Sequence, residues 1–346
     1  MGAVWRMRRR GGRESLLRGV VLALVLVLAG CCFLAVYLWE RDTQVQQRNT
    51  AESSVGKLKT MQWENQTFVE KTDITTLLIM GIDLREGDRR FSAQDGGQAD
   101  FLQLLVLDGQ ARTVHRLAID RDTMTEVEVT SLFGQTSSTS ILQICLSHGY
   151  GQTDKENNEN AVRAVSNLLD GLQIDGYISF NLKDVGRLND LLGGVTVTLE
   201  DDTLAEKDPR MVKGATLKLT AEQAEHLVHD RMDVGDGTNT GRMRRQAVFL
   251  KGLEPILRDK LKDNASAEAL YLDMESLVTT NLSRGALINM AVRAAKWKAE
   301  EPRMLPGEHQ ISAVNEVGQV DIEEFHLEKD AVKNWLAETI YMPRTL

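Results

Sequence analysis

Two aspartates adjoin short apolar segments that have the composition of buried strands. Asp83 follows the segment 75–80 (TTLLIM), in MGID, and Asp100 immediately precedes 101–107 (FLQLLVL). Ligands bind along the edge of an open α/β sheet where strands end. Two carboxylates at such an edge could hold a hard divalent cation such as Mg²⁺, which takes one or two carboxylates together with substrate phosphates. A turn aspartate and a strand-edge cap are the structural alternatives for the two residues.

A cation follows the third predicted strand, at 113–119. Arg121 and Asp122 come directly after this segment, in AIDRDT. The planar guanidinium of an arginine at a strand end can bind a phosphate group through two hydrogen bonds. The alternative is a surface ion pair, which contributes little to stability.

The densest group of basic residues lies between Arg231 and Gln246. Arg242, Arg245 and Gln246 have spacings of three and four, so they share one face near the start of a predicted helix. A helix N-terminus already favours anions, so cations there oppose the helix dipole. This arrangement indicates an anion bound just outside the helix, and the alternative is an exposed basic turn.

The surrounding pattern predicts an α/β fold in which these residues meet at the edge of a central sheet. Besides the three segments above, 176–180 and 195–199 (VTVTL) have strand character. Helical periodicity covers 161–169, 242–261 and 284–297, and Thr220 with Gln223 forms a capping-box signature. Strands that alternate with helices indicate a layered α/β body.

The N-terminus predicts a membrane anchor. Arginines dominate residues 1–18, and an uncharged apolar run of about 21 residues follows at 19–39, enough to cross a bilayer as a helix. The positive-inside rule leaves 1–18 in the cytoplasm, a polar stalk at 40–72 and a body at 73–346 outside the cell. The alternative is a lipoprotein signal, because LAGC at 28–31 resembles a lipobox whose Cys31 would be lipidated.

The net charge argues against nucleic-acid binding, and the cysteine content excludes an intrachain disulfide in the body. The first 18 residues carry six arginines against one glutamate, so the rest must carry −14 to give the total of −9. An acidic body is a poor ligand for nucleic acid. Cys31 and Cys32 lie in the apolar run, so Cys145 has no intrachain disulfide partner in the body.

The order of several motifs resembles the LytR–CpsA–Psr family of cell-wall glycopolymer ligases. The matching segments are TTLLIMGID, ADFLQLLVLD, LAIDRDTM, LSHGYG, GYISFNLKDVGRLNDLLGGVTVTL and LTAEQAEHLVHDR through GRMRRQ, which together span about residues 72–260. No single motif is specific, but six in this order are.

This resemblance implies a fold, a reaction and a set of partners. The fold is an α/β/α sandwich with a central mixed sheet, and the reaction joins a glycopolymer to peptidoglycan through a phosphodiester bond. The glycopolymer comes from a polyprenyl-pyrophosphate carrier at the membrane, whose lipid tail lies in an apolar tunnel. We therefore expect an elongated apolar pocket lined by the sheet and by the helices near 161–170 and 242–260.

The resemblance also assigns roles to individual residues. Asp83 and Asp100 match the aspartates that bind Mg²⁺ or Mn²⁺. The candidate catalytic residues, among them the pyrophosphate-binding arginines, are Arg121, Asp122, Arg231 and Arg242. The candidate substrate-binding residues are Gln98, His229, Arg245 and Gln246.

Three positions depart from the family pattern, and they keep other functions open. Gln98 and His229 stand where arginines are common, and Asn239 stands where an aspartate is frequent. A histidine with a pKa near ~6.5 is mostly neutral at pH 7. A non-catalytic polyprenyl-phosphate-binding regulator and a pyrophosphate hydrolase therefore remain alternatives to the ligase.

Overall fold

A computed structural model describes residues 59–84, 96–130, 137–231, 233–312 and 322–344. The predicted cytoplasmic tail (1–18) and membrane anchor (19–39) lie outside these ranges. Within them, no helix combines the length and apolar character that a membrane span requires.

Sixteen strands and seven α-helices lie in the described ranges and are numbered in chain order. The strands are β1 (Thr60–Trp63), β2 (Gln66–Glu70), β3 (Ile74–Asp83), β4 (Gln98–Asp108), β5 (Thr113–Ile119), β6 (Met124–Thr130), β7 (Ser137–Gln143), β8 (Gly176–Asn181), β9 (Thr196–Thr198), β10 (Thr216–Lys218), β11 (Val278–Thr280), β12 (Lys298–Ala299), β13 (Arg303–Met304), β14 (Gly307–Ser312), β15 (Ile322–Leu327) and β16 (Tyr341–Pro343). The helices are α1 (Asp154–Leu168), α2 (Val185–Leu191), α3 (Ala221–His229), α4 (Asn239–Lys260), α5 (Asn264–Met274), α6 (Arg284–Lys296) and α7 (Ala331–Thr339), with 3₁₀ turns at Ile144–Gly149 and Leu182–Asp184.

A mixed sheet forms the centre of the body, as the sequence predicted. Its strand order is β11-β8-β3-β4-β5-β12, and β13 also pairs with β5. Strands β3, β4 and β5 are antiparallel neighbours, whereas β8 runs parallel to β3 and β12 parallel to β5. The mixed sheet brings the end of β3, the start of β4 and the end of β5 to one edge. The first two strands bring Asp83 opposite Gln98.

Side chains alternate along β3 and β4, so each strand serves two faces. Leu78, Met80 and Leu104 point to one face and join a fully buried cluster with α1 and α7. The intervening residues, such as Leu77 and Leu105, point to the opposite face and line a cavity under α4 and α6. The sheet is therefore covered by helices on both sides, which fits the predicted α/β/α sandwich.

Local signals in the sequence set the ends of several helices. The capping box is present at α3, where Thr220 accepts from the Gln223 amide and Gln223 accepts in return. Helix α1 ends at Leu168, and Gly171, with φ +78, donates back to Ser166. Glycine adopts this left-handed conformation at little cost, which is why it ends helices.

Two predictions about the fold need correction. The segment 195–199 forms β9, but β9 pairs only with β10 in a separate two-stranded sheet and does not join the central sheet. The predicted stalk reached residue 72, whereas β1 and β2 lie within that range and β2 pairs with the C-terminal β16. Trp63 donates to Asn334 on α7, so this apolar residue helps attach the segment to the body.

Two hairpins, β6–β7 and β14–β15, flank the edge where β5 ends. Each pairs antiparallel within itself, and Thr123 bridges to Phe325 between them. Together with the described remainder of Met61–Leu346, they belong to one compact unit. The hairpins therefore bring residues from distant parts of the sequence to the Arg121–Asp122 loop.

Candidate functional site

A buried aspartate between two arginines forms the centre of the site. Asp100 lies near the start of β4 and is only 6% exposed. Its Oδ1 lies 2.6 Å from Arg121 Nη1, and its Oδ2 accepts from Arg242 Nη1 at 2.7 Å. A single carboxylate is thus shared between two guanidinium groups. Such a group is suited to hold a further anion.

The sheet register and a helix start bring these three residues together. Ile119 pairs with Leu102, so the chain after β5 continues to the level of Asp100. Arg242 lies in the first turn of α4, whose N-cap Thr238 accepts from the Gly241 amide. Arg242 is buried there, so the alternative of an exposed basic turn does not hold for this residue.

Arg121 makes further contacts that fix its guanidinium. Its Nη2 donates to Gln98 Oε1 at 2.6 Å and lies 3.1 Å from Cys145 Sγ. Burial raises the pKa of the Cys145 thiol to about 12, so this cysteine stays protonated at neutral pH. Gln98, which stands where family members commonly have arginine, accepts a hydrogen bond from Arg121 and adds no positive charge.

Asp122 is a buried carboxylate with an altered titration. Burial raises its pKa to about 6, against the attraction of Arg121 and Arg231 and with further repulsion from Asp120. Arg121 Nε lies 3.3 Å from Asp122 Oδ1, and Gln143 donates to the same oxygen at 2.9 Å. A carboxylate with a pKa near neutrality in a buried site is typical of a functional group.

Arg231 lies on the Asp122 side of the site. It is half-buried between α3 and α4, and its Nε is buried without a hydrogen-bond partner. Its charge contributes to holding down the pKa of Asp122 against the effect of burial. The structure thus places the charge of Arg231 close enough to Asp122 to affect its titration.

His229 faces the second predicted metal-binding aspartate. Its Nε2 lies 3.6 Å from Asp83 Oδ1, and the interaction with Asp83 raises the His229 pKa although burial opposes this. Raising the pKa of a histidine favours its cationic form. His229 therefore supplies a titratable positive charge where the family pattern has a permanent one.

Asn239 connects Arg242 to a second buried aspartate. Arg242 Nη2 donates to Asn239 Oδ1 at 2.8 Å, and Asn239 Nδ2 donates to Asp120 Oδ1 at 2.8 Å. All three residues are at least 97% buried. An ionised aspartate at position 239 could not donate to Asp120, which accounts physically for the amide in this chain.

Arg245 and Gln246 make their hydrogen bonds elsewhere. Arg245 donates to the carbonyls of Leu227 and Asp230, and Gln246 donates to the carbonyl of Val228, so both hold the end of α3 against α4. The expectation that Arg245 binds substrate beside Arg242 is not met by these contacts. One helical turn separates the two, and this turn lies alongside the last carbonyls of α3.

An apolar cavity of about 400 Å³ lies under the sheet beside this charged cluster. Its walls are the cavity face of β3, β4 and β8 together with α2, α4 and α6, and its rim includes Arg116, Glu254 and Arg258. The predicted pocket is therefore present, and its contribution from 242–260 is confirmed. The contribution expected from 161–170 is wrong, because α1 packs on the opposite face of the sheet.

The cavity and the charged cluster adjoin each other. A cleft of about 40 Å³ is lined by both Asp100 and Arg121. This cleft shares the lining residues Phe101, Gln103, Gln246 and Leu250 with the apolar cavity. An amphiphile could therefore place a charged group beside Arg121 and a hydrocarbon chain in the cavity.

The predicted divalent cation would have two carboxylates at this edge of the sheet, Asp83 and Asp100. Among the described residues, no group of three or more histidine, cysteine, aspartate or glutamate side chains is arranged to hold a metal. Mg²⁺, however, takes only one or two carboxylates and completes its shell with water and phosphate. Asp83 is one candidate carboxylate, and Asp100 is the other, with each of its oxygens already 2.6–2.7 Å from an arginine nitrogen. A cation there must share Asp100 with the arginines.

Sequence reasoning missed the contributions of the two hairpins. Gln143 on β7 and His309 on β14 contact the loop that carries Asp120 and Asp122, and Glu323 on β15 contacts both Gln143 and His309. No spacing rule could connect them, because His309 follows Asp120 by almost 190 positions.

Comparisons with known proteins identify a family and several relatives. The model of the LytR_cpsA_psr family matches residues 36–334. A curated relative is the polyisoprenyl-teichoic acid–peptidoglycan teichoic acid transferase TagU of Bacillus subtilis, 26% identical over 249 residues and 72% of each chain. Biofilm regulatory protein A of Streptococcus mutans is 27% identical over 190 residues, 53% of this chain and 44% of its own.

Solved structures share the fold. The protein gbs0355 from Streptococcus agalactiae has a TM-score of 0.57 and 22% identity, covering 75% of this chain and 84% of its own. A structure of TagT bound to LIIa-WTA has a TM-score of 0.54 and 19% identity, covering 76% and 88%. With the family model matching most of its length, this chain belongs to the LytR–CpsA–Psr family.

Proposed function

We propose that this protein transfers a glycopolymer from a polyprenyl-pyrophosphate carrier to peptidoglycan and forms a phosphodiester bond. One observation carries the proposal: the Arg121–Asp100–Arg242 cluster adjoins an apolar cavity through a shared cleft. The transferase names of the TagU relatives agree with it.

The cavity is the proposed site of the lipid tail. Burial of apolar surface contributes about 25 cal/mol per Å², so a polyprenyl chain gains affinity by leaving water. A cavity of about 400 Å³ falls in the range typical of small-molecule sites and suits a segment of such a chain. The remainder of a long carrier would extend towards the membrane.

The arginines are the proposed ligands of the pyrophosphate. Charge spreads over the phosphoryl oxygens in the transition state of phosphoryl transfer, and fixed cations stabilise it by position and electrostatics. Arg121 and Arg242 are already held in place by Asp100, so little reorganisation is needed when the anion binds. Arg231, with its unpartnered Nε, is the third proposed ligand.

The proposed transfer needs only the lipid-linked donor and the peptidoglycan acceptor as reactants. A peptidoglycan hydroxyl attacks the phosphorus attached to the glycan, the bond to the bridging oxygen breaks, and polyprenyl phosphate leaves. The hydroxyl proton passes to a base, and Asp122, with a pKa of about 6, is mostly ionised at pH 7 and can accept it. Mg²⁺ or Mn²⁺ held by Asp83 and Asp100 would neutralise phosphate charge.

The proposed location is the outer side of the cell membrane. The anchor at 19–39, or alternatively a lipidated Cys31, would tether the body there as a single-pass protein. This location gives the body access to a lipid-linked donor and to peptidoglycan.

A non-catalytic polyprenyl-phosphate binder is the second candidate. The replacement of two family cations by Gln98 and His229 favours it, because neither adds a permanent positive charge. Both candidates use the same cavity and the same arginines, so only turnover separates them.

The direct test is a transfer assay with a short polyprenyl-pyrophosphate-linked glycan and peptidoglycan fragments, with and without Mg²⁺. We expect a glycan–peptidoglycan product that Arg121→Ala loses and that the exposed control Arg187→Ala retains. Tight donor binding without any product identifies the non-catalytic binder. Release of glycan phosphate without acceptor identifies a hydrolase.

A further inference from the structure

His309, on the C-terminal hairpin, lies between two carboxylates beside the proposed active site. Its Nδ1 lies 3.0 Å from Glu323 Oε1 on the partner strand β15, and its Nε2 lies 3.4 Å from Asp120 Oδ2. The ring also packs against Phe325, with centroids 4.8 Å apart. These contacts fix the position of the imidazole.

Asp120 has one satisfied oxygen and one that depends on His309. Oδ1 accepts from the Asp122 amide at 2.9 Å and from Asn239 at 2.8 Å, whereas the buried Oδ2 has no hydrogen bond. A buried carboxylate oxygen without a partner is costly. The imidazole is the group placed to balance it.

Asp120 is connected through further contacts to the cluster of Arg121, Asp100 and Arg242, which we call the arginine clamp. Asn239 joins Asp120 to Arg242, and Arg242 binds Asp100. The chain of contacts is Glu323–His309–Asp120–Asn239–Arg242–Asp100. We call this chain the hairpin relay.

The hairpin is also docked through its backbone and through Gln143. The Phe325 amide donates to the Asp122 carbonyl at 2.8 Å, and Gln143 donates to both the Glu323 carbonyl and the Asp122 side chain. The position of His309 is therefore set by several contacts independent of its own ring.

We propose that His309 is a positioning residue that closes the hairpin relay and thereby holds Arg242 in the geometry needed to bind the phosphate. Its effect on turnover rests on the proposed transferase function. A clamp arginine displaced by about 1 Å can lose up to about 10²-fold in rate. Loss of His309 should therefore act on kcat although the residue does not contact Asp100.

The test compares His309→Gln with His326→Gln in the full-length protein. His326 lies on the same hairpin and contacts Glu324, but its register position opposite Glu308 puts it on the other face. We expect His309→Gln to lower kcat by about 10-fold, as misplacement of a binding group predicts, and His326→Gln to leave it unchanged. Combined with Asp120→Asn, the loss should be less than additive.

A second readout does not need turnover. Phenylglyoxal modification followed by mass spectrometry measures access to Arg242, with the exposed Arg187 as internal reference. We expect Arg242 to be protected in the wild type and in His326→Gln, and to react faster in His309→Gln. Equal protection in all three proteins overturns the relay, even if the protein is a transferase. Faster labelling in His309→Gln without any wild-type transfer supports the relay and refutes the proposed function instead.

Discussion

The two faces of the central sheet differ in how completely they are filled. On one face, Leu78, Met80 and Leu104 pack with α1 and α7 into a cluster of fully buried side chains. On the other, the alternate residues of the same strands border an apolar cavity of about 400 Å³. Protein interiors are normally close-packed, and unfilled apolar volume costs stability. The hollow face is therefore best explained by a ligand.

The charged residues are also distributed unequally between the two faces. The charged cluster of Asp100, Arg121 and Arg242 adjoins the hollow face through the cleft at Phe101 and Gln246. The packed face is dominated by aliphatic contacts. One face thus stabilises the fold, and the other combines apolar volume with fixed positive charge.

The largest effect is expected from removing the charge at the hollow face. Arg242→Ala should lower the rate of glycopolymer transfer by about 10²-fold or more, because lost electrostatic donors typically cost this much. The measurement is initial rate in the transfer assay, with Arg187→Ala as the control. Retention of the wild-type rate in Arg242→Ala would place the phosphate elsewhere.

Filling the two faces should have opposite consequences. Ala291 on α6 lines the cavity, and Ala164 on α1 is buried in the packed cluster. Ala291→Phe should leave the protein folded but weaken polyprenyl diphosphate binding by about 10-fold or more, since the chain loses apolar contact area. Ala164→Phe should destabilise by about 1–3 kcal/mol through overpacking.

Thermal unfolding and ligand titration of both variants measure this difference. If Ala291→Phe binds the lipid like the wild type, the cavity is not the site of the tail. If Ala164→Phe is fully stable, the packed face is less tightly filled than its burial indicates.

Truncating neighbouring leucines should separate the faces by stability alone. Leu104→Ala removes a fully buried side chain and should cost about 2–5 kcal/mol, whereas Leu105→Ala borders the cavity and should cost about 1 kcal/mol. Denaturant unfolding of the two variants gives both values. Equal costs would indicate that the cavity collapses in solution.

The smallest effect concerns the buried carboxylate at the site. The raised pKa of Asp122, about 6, means that folding favours its protonated form, so its ionisation costs stability progressively as the pH rises from about 4 to 6. Asp122→Asn should therefore raise stability at pH 8, by on the order of 1–3 kcal/mol, and have little effect at pH 4. The exposed Asp273→Asn controls for loss of charge. A stabilisation independent of pH would contradict the altered pKa.

The sequence predicted the three central strands and the positions of Asp100 and Arg121 at their ends, because strand composition is a local property, but it did not predict the ion pairs that join Asp100 to Arg121 and Arg242. Apolar segments at 75–80, 101–107 and 113–119 defined neighbouring strands, and Asp100 and Arg121 lie at the ends of the second and the third. The capping box at Thr220 depends on four consecutive residues and was also predicted correctly from the sequence. The sequence did not predict the face of the sheet against which each helix packs. Periodicity shows that α1 is amphipathic, but it does not show which side of the sheet α1 covers.

Long-range pairing explains the other differences. The β2–β16 pair joins the two ends of the body, so polar residues that resembled a stalk became strands. His309 and Asp120 meet only because β14–β15 docks beside the loop after β5. Arg245 lies on the same helix face as Arg242, but its guanidinium donates to the carbonyls of Leu227 and Asp230 at the end of α3.

Binding of the lipid in the cavity is tested most directly by photolabelling of the wild-type protein with a benzophenone-bearing polyprenyl diphosphate, followed by mass spectrometry. We expect crosslinks on the cavity face, at residues of α4 and α6 and at Leu105 or Phe180, with none on α1 or α7. Arg242→Ala and Ala291→Phe should both reduce these crosslinks, while Arg187→Ala should not. Crosslinks that appear mainly on α1 and α7, or that are unaffected by both variants, would contradict binding of the lipid in the cavity.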